Sequence, residues 1–337
     1  MIRFTTVLLV AVIAVLSPAV GITARTAGRL YVANENANSI SVIDASTFKV
    51  LTTIPTGPEP HNLEVSPDGR FVWVTNAGEM PKGDHAAMEA DSNSAWAIRT
   101  SDWGVAARIP VGEHPAHVTI LPSGRLAFVS NSEPGTISII DTATMKVVKT
   151  VKVGNWPHGM RASPDGRIVA VANVKSDTVS LIDVQTLEVG PAIPVGRAPV
   201  QVGFLPDGKT LYVSLRDENA VAIVNIARRS VDAKVKVGPG PIQVYATPDG
   251  RYVYVANQGT EKTPGDAVSV IDAQRRRVVK TIRVGKGAHG VVITPDGRYA
   301  WITNIYAGTV SVIDVGRQAV VATVPVGKGP NGISFQK

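Results

Sequence analysis

The 337 residues carry 34 Lys+Arg against 27 Asp+Glu, a formal charge of +7, with 44% hydrophobic side chains and no cysteine. That balance excludes a disordered chain, and the missing thiols exclude disulfides, thiolate metal ligands and cysteine nucleophiles. The mild basicity suits plain solubility as well as contact with a polyanion.

The first 24 residues read as a secretory signal, leaving 25–337 as one folded domain. Met1-Ile2-Arg3 is a short basic start, and Val7 to Leu16 is an unbroken apolar run of ten. Such a run is too short to span a bilayer, which takes roughly 17–25 residues. Cleavage is expected after Gly21 or Ala24, and loss of Arg3 takes the charge from +7 to +6. A periplasmic or secreted monomer without a membrane span follows as the expectation.

Beyond this point the chain repeats itself. A motif ending in Gly recurs at Gly57, Gly112, Gly154, Gly196, Gly238, Gly285 and Gly327, at spacings of 55, 42, 42, 42, 47 and 42. A second marker closes the VSVI-like runs at Asp44, Arg99, Asp141, Asp183, Asn225, Asp272 and Asp314, with the same spacings. Two markers in step at every interval identify a repeat array. Twelve residues after six of the marker glycines stands a second Gly, as in Pro67-Asp68-Gly69 and Pro164-Asp165-Gly166. Pro presets the first turn angle, Asp caps the turn and Gly takes the positive φ, so this is a hairpin between strands A and B.

Strands B, C and D follow in order, for example Leu30–Asn34, Ser39–Asp44 and Val50–Ile54. Four antiparallel strands per repeat make a propeller blade. The mature chain opens without a strand A, while Asn331–Lys337 reads as a strand A with nothing after it. The expected fold is therefore all-β: a seven-bladed β-propeller of four-stranded antiparallel blades, closed by the C-terminal strand A joining the N-terminal strands B, C and D. Closure of this kind removes the free sheet edges.

Tyr31-Val32-Ala33-Asn34, Val74-Thr75-Asn76, Tyr254-Val255-Ala256-Asn257 and Ile302-Thr303-Asn304 each lead into a VSVID-like strand. These segments resemble the YVTN-type propeller repeat, and Asn ends strand B in every blade except the one with Leu215. The resemblance covers nearly all of 30–337. It implies the fold, and it extends to periplasmic propellers that bind single-stranded DNA and, more distantly, to lactonase propellers. A fold of this kind hosts unrelated activities, so function has to come from the site.

In a meander of this kind the D–A and B–C loops share one face. Both insertions fall in B–C loops, Ala77 to Ser94 and Gln258 to Asp266, which marks that face as the functional one. The histidines gather there too. Four residues past the marker glycines stand His61, His158, His289 and Asn331, and five past them stand Asn62, His117, Gln201 and Gln243; His85 lies in the long insertion and His114 in a D–A loop. Because positions six and eight are apolar, alternation sends positions five and seven, including Glu64 and Arg161, into the central channel. The same alternation sends position four between blades.

Several uses of this face follow. His61, His158 and His289 are candidate ligands for copper or zinc, although no HxH or HExxH spacing supports them. Glu64 and Arg161 with His117 are candidate acid–base groups for a lactonase-like hydrolysis. Single-stranded nucleic acid needs cations and aromatic faces, for which Trp156, Trp96, Trp103, Lys82, Arg197, Lys286 and Lys328 are available, whereas Arg228-Arg229 and Arg275-Arg276-Arg277 fall on the opposite face. The least demanding reading is a non-enzymatic binding platform for an envelope protein or small ligand, with no cofactor. Its expected contact residues are His61, Asn62, His117, Trp156, His158, Arg161, Gln201, Gln243, His289, Asn331 and Lys286.

Overall fold

Seven antiparallel four-stranded units are arranged around a central channel in the computed structural model, which describes residues 27–78 and 92–337. The expected signal at residues 1–24 and the middle of the long insertion, with Lys82 and His85, lie outside the described residues. Blade 1 is composite: Pro330–Gln336 pairs antiparallel with Arg29–Asn34, followed by Ser39–Asp44 and Lys49–Pro55. Blades 2 to 7 then run in chain order, each from inner strand A outward. In blade 4 the outer strand is broken into Glu188–Val189 and Ile193–Pro194, both on the Thr178–Asp183 strand.

The two repeat markers have distinct physical causes. Each Asn that ends strand B is buried, and all but Asn76 donate the side-chain amide to strand C, as Asn131 does to Thr136 and Ser138 Oγ at 3.0 Å. That side chain lies against the marker glycine: a Cβ on Gly112 would stand 2.6 Å from Asn131 Cγ. Asn and Gly therefore occur together because one occupies the space the other leaves. The Asp marker caps the C–D turn, with Asp44 Oδ1 accepting from the Ser46 and Thr47 amides at 2.8 and 2.7 Å. The Pro-Asp-Gly turns are formed as expected, with Gly69 at φ 70° and Asp68 accepting from the Arg70 amide at 3.0 Å.

Apolar side chains from adjacent blades fill the spaces between sheets, with Trp73, Trp301, Tyr31 and Phe128 fully buried. Trp96 is also core, and Trp103 stands in a C–D turn against Tyr31 and Arg29, so neither offers an aromatic surface on the insertion-bearing face. That corrects the aromatic set expected for nucleic-acid contact.

Strand A departs from simple alternation in every blade. In blade 2, Pro60 pairs with Asn76 and Leu63 with Val74, so two residues, His61 and Asn62, oppose the single Thr75. The same register shift recurs at the equivalent place in the other six blades. This β-bulge re-aims one side chain per blade. It also has a fastener: Thr75 Oγ accepts from the Asn62 amide at 3.1 Å and donates to the Ala116 carbonyl of the next blade at 2.8 Å. Ser130 grips the His158 carbonyl at 2.7 Å in the same way, and Thr303 the Asn331 carbonyl at 2.8 Å. Position four is thus held on the channel side, not between blades as alternation predicts.

Candidate metal centre at the channel mouth

The bulges of blades 2, 3 and 4 bring three imidazoles together on the D–A/B–C side of the axis. His61 Nε2 stands 3.1 Å from His158 Nε2, although the residues are 97 apart in sequence. His117 completes the group, its ring centroid 5.8 Å from that of His61 and 4.8 Å from that of His158. One nitrogen from each of the three lies within 4.8 Å of the others. Of the trio expected from sequence, His61 and His158 meet, His117 takes the third place, and His289 stands apart in blade 7.

The partners of these rings set their protons. His158 Nδ1 lies 3.3 Å from the Val200 carbonyl oxygen, which can only accept, so its Nε2 carries a lone pair. His61 Nδ1 faces Asn331 Nδ2 at 3.1 Å and Glu35 Oε2 at 3.6 Å, and Asn331 in turn donates to Glu35 at 2.6 Å. Gln201 Nε2 sits 3.4 Å from His117 Nδ1, with the side-chain Oε1 of Gln201 already accepting from the Val202 amide. His289 Nδ1 donates to Gln258 Oε1 at 3.2 Å, leaving its Nε2 buried without a hydrogen-bond partner, as is Asn331 Oδ1.

Electrostatics favour the neutral form of His117, His158 and His289. Burial, then the neighbouring imidazoles, drives His117 and His158 well below the ordinary histidine range. Burial and His61 bring His289 down to about 4. For Glu35, burial works to raise the carboxyl, but hydrogen bonds and charge from His61, with Asn331, outweigh it and hold the group at about 2. Buried neutral imidazoles beside a fixed carboxylate are the form in which histidine ligates metal.

The other expected contact residues divide by position. Asn62, Gln201 and Gln243 are buried one layer below the mouth together with His117. There they form a floor with Gly159, Gly290 and Gly332. Trp156 and Lys286 stand at the rim; Lys175 Nζ lies 3.3 Å over the Trp156 ring, whose other neighbour is His114. Arg161 does not belong to the mouth. It lies beneath the floor, paired with Glu64 at 3.3 Å, where the channel opens between the A–B hairpins. Glu35 was missed by the sequence reading; its signal was its place directly after Asn34, in a B–C loop over the channel.

The frame on which this site stands has relatives. The YNCE-like beta-propeller family model matches residues 91–337. The chain belongs to that family. A second family, described as a seven-bladed lactonase propeller, matches residues 22–152 of this YNCE-like propeller. No curated protein matches the sequence. Among solved structures, Kuenenia stuttgartiensis hydrazine synthase is similar at TM-score 0.72 and 22% identity, covering 83% of this chain and 90% of that one. A functionally unknown protein of Desulfotomaculum acetoxidans reaches TM-score 0.77 at 18% identity, covering 92% and 99%. A Bacteroides uniformis protein provisionally assigned as a 6-phosphogluconolactonase reaches 0.74 at 17%, covering 91% and 99%. At these identities the likeness is one of fold.

Proposed function

We propose that this protein is an exported metal-binding propeller, holding one copper or zinc ion at the channel mouth through His61, His117 and His158. The observation that carries the reading is the 3.1 Å approach of His61 Nε2 to His158 Nε2. Two imidazole nitrogens at that distance share either a proton or a cation. With metal–nitrogen distances of about 2.0–2.1 Å, the separation corresponds to a ligand–metal–ligand angle of about 100°, near tetrahedral. His117, within 4.8 Å, closes onto the ion by a rotation of its ring. An all-imidazole set without thiolate or direct carboxylate suits Cu(II) or Zn(II).

The surroundings can serve both states. Without a cation, the Asn331 amide donates to His61 Nδ1, and the His61 Nε2 proton is shared with His158. With one, His61 moves its proton to Nδ1, where the Glu35 carboxylate accepts it and offsets charge. Three protein ligands leave a fourth position open toward the mouth, the arrangement of sites that bind an exchangeable ligand and not of purely structural ones. The sequence reading expected no cofactor because alternation separated these rings; the bulge supports the other reading.

The test is elemental analysis of protein produced without a histidine tag and dialysed against trace copper and zinc. Stoichiometric metal in the wild type and its loss in His61→Ala/His158→Ala, with the melting transition retained, is expected. Sub-stoichiometric metal in both would overturn the proposal.

A further inference from the structure

The second compartment of the channel lies under the floor and is independent of the histidines. A cavity of about 560 Å³ opens between the Pro-Asp-Gly hairpins. Its walls carry apolar surface from Phe204, Val244, Ile293 and Phe335; the lining also holds hydroxyls such as Thr119 and Ser334, and its ionisable side chains are Glu64, Arg161 and Tyr245. Pockets of this size hold small organic molecules and orient them with a few polar groups.

Those polar groups are unevenly used. Glu64 has both oxygens engaged: Oε1 accepts from the Ile120 amide at 3.2 Å and Oε2 from Arg161 Nη1 at 3.3 Å. Arg161 is not. Among the described residues its only hydrogen bond is that single contact, and its guanidinium lies over the Tyr245 ring with Cζ 5.2 Å from the centroid. A guanidinium presents five N–H donors in a planar fork that matches a carboxylate in two parallel bonds. Contact with the Tyr245 ring restrains the guanidinium, and with one donor engaged by Glu64 the others remain for a ligand in the cavity that Arg161 lines.

We propose that this cavity binds a small organic monocarboxylate with an apolar body, its carboxylate on the remaining donors of Arg161 and its hydrocarbon part against Phe204, Val244 and Phe335. The competing charge is Glu64, which already engages one donor of the guanidinium. Burial raises the Glu64 carboxyl, with Arg161 opposing, which lessens that competition.

Phenylacetate and its neutral isostere phenylacetamide are the probes, titrated calorimetrically into the full protein. A ligand of this size is expected to bind with a Kd of roughly 0.1–1 mM, and phenylacetamide at least about tenfold more weakly, the scale of a charge-assisted hydrogen bond. Arg161→Gln is expected to weaken phenylacetate by about tenfold or more, and Glu64→Gln to tighten it by roughly threefold to tenfold, because a competing charge is removed. Equal affinity for acid and amide, no saturable binding at millimolar concentration, or unchanged affinity in Arg161→Gln overturns the proposal. Should Arg161→Gln fail to fold, Glu64→Gln decides: tighter binding supports it, and unchanged or weaker binding overturns it. His61→Ala/His158→Ala is expected to bind phenylacetate as the wild type does, which separates this site from the metal centre.

Discussion

The two ends of the channel are built from the same seven strands yet carry opposite chemistry. At the D–A/B–C mouth, bulged residues crowd imidazoles to 3.1 Å with carboxamides and Glu35 around them, and little space remains. At the A–B mouth, past the bulge, regular alternation resumes and leaves a wide cavity with one ion pair. The difference teaches that the bulge, not the repeat itself, decides where side chains are dense enough to ligate and where they stand back. Between the ends lies the floor of position-five residues, Asn62, His117, Gln201 and Gln243 together with Gly159, Gly290 and Gly332.

The floor is where the comparison breaks most easily. Gly159 faces Val200 and Gln201 of the next strand; a Cβ there would stand 2.5 Å from the Val200 carbonyl oxygen and overlap the Gln201 amide. Backbone cannot yield as a flexible side chain does, so Gly159→Val is expected to cost about 3 kcal/mol or more in chemical denaturation. Because Gln201 also touches His117, the same change is expected to lower metal occupancy. A variant with unchanged stability would show that the two compartments are not divided by a packed floor.

Acid distinguishes the ends next. His289 has its folded-state value near 4, against an ordinary value of 6.5. The unfolded chain therefore takes up a proton below 6.5 that the folded chain refuses until about 4, and stability is lost as pH falls through that window. It faces His61, Glu35, Asn331 and Gln258, of which Glu35 does not contribute until below 4.5 because its own carboxyl is held at about 2. In metal-free protein, unfolding free energies from urea denaturation at pH 7 and pH 4.5 are expected to differ less in His289→Gln than in the wild type, by on the order of 2 kcal/mol. An identical pH dependence in both would mean that His289 is not kept neutral by its surroundings.

Most of the frame was legible in the sequence because its markers are local chemistry. Gly112 and Asn131 share one space, Asp44 caps a turn, and Gly69 supplies a positive φ, so each appears at a fixed interval. The site was legible in composition but not in aim. His61 and His158 were found by position, yet alternation sent them between blades, since a bulge reverses every side chain before it. A signal for the bulge was present: apolar residues fall at positions three, six and eight, as in Pro60, Leu63 and Val65, and the odd step from three to six requires one extra residue. Arg161 was placed in the channel correctly but at the wrong end, because pleating gives the side of a strand and not the depth at which a floor divides it.

The smallest expected effect tests how finely the histidine mouth is tuned. Glu35 is partly exposed, and its side chain accepts from Asn331 and lies beside the His61 ring. Its proposed work is to accept the His61 Nδ1 proton when the ion is bound, which raises the ligand's basicity and selects the Nε2 lone pair. Glu35→Gln keeps an acceptor oxygen but removes the charge. Loss of an outer partner of this type weakens metal binding by about tenfold to a hundredfold, and the lower end is expected for a pair already 3.6 Å apart. Copper affinity measured by chelator competition should fall by about tenfold in the variant while its melting temperature without metal stays that of the wild type. If the affinity holds, the carboxylate serves only to anchor Asn331. The mouth then binds metal through geometry without help from charge.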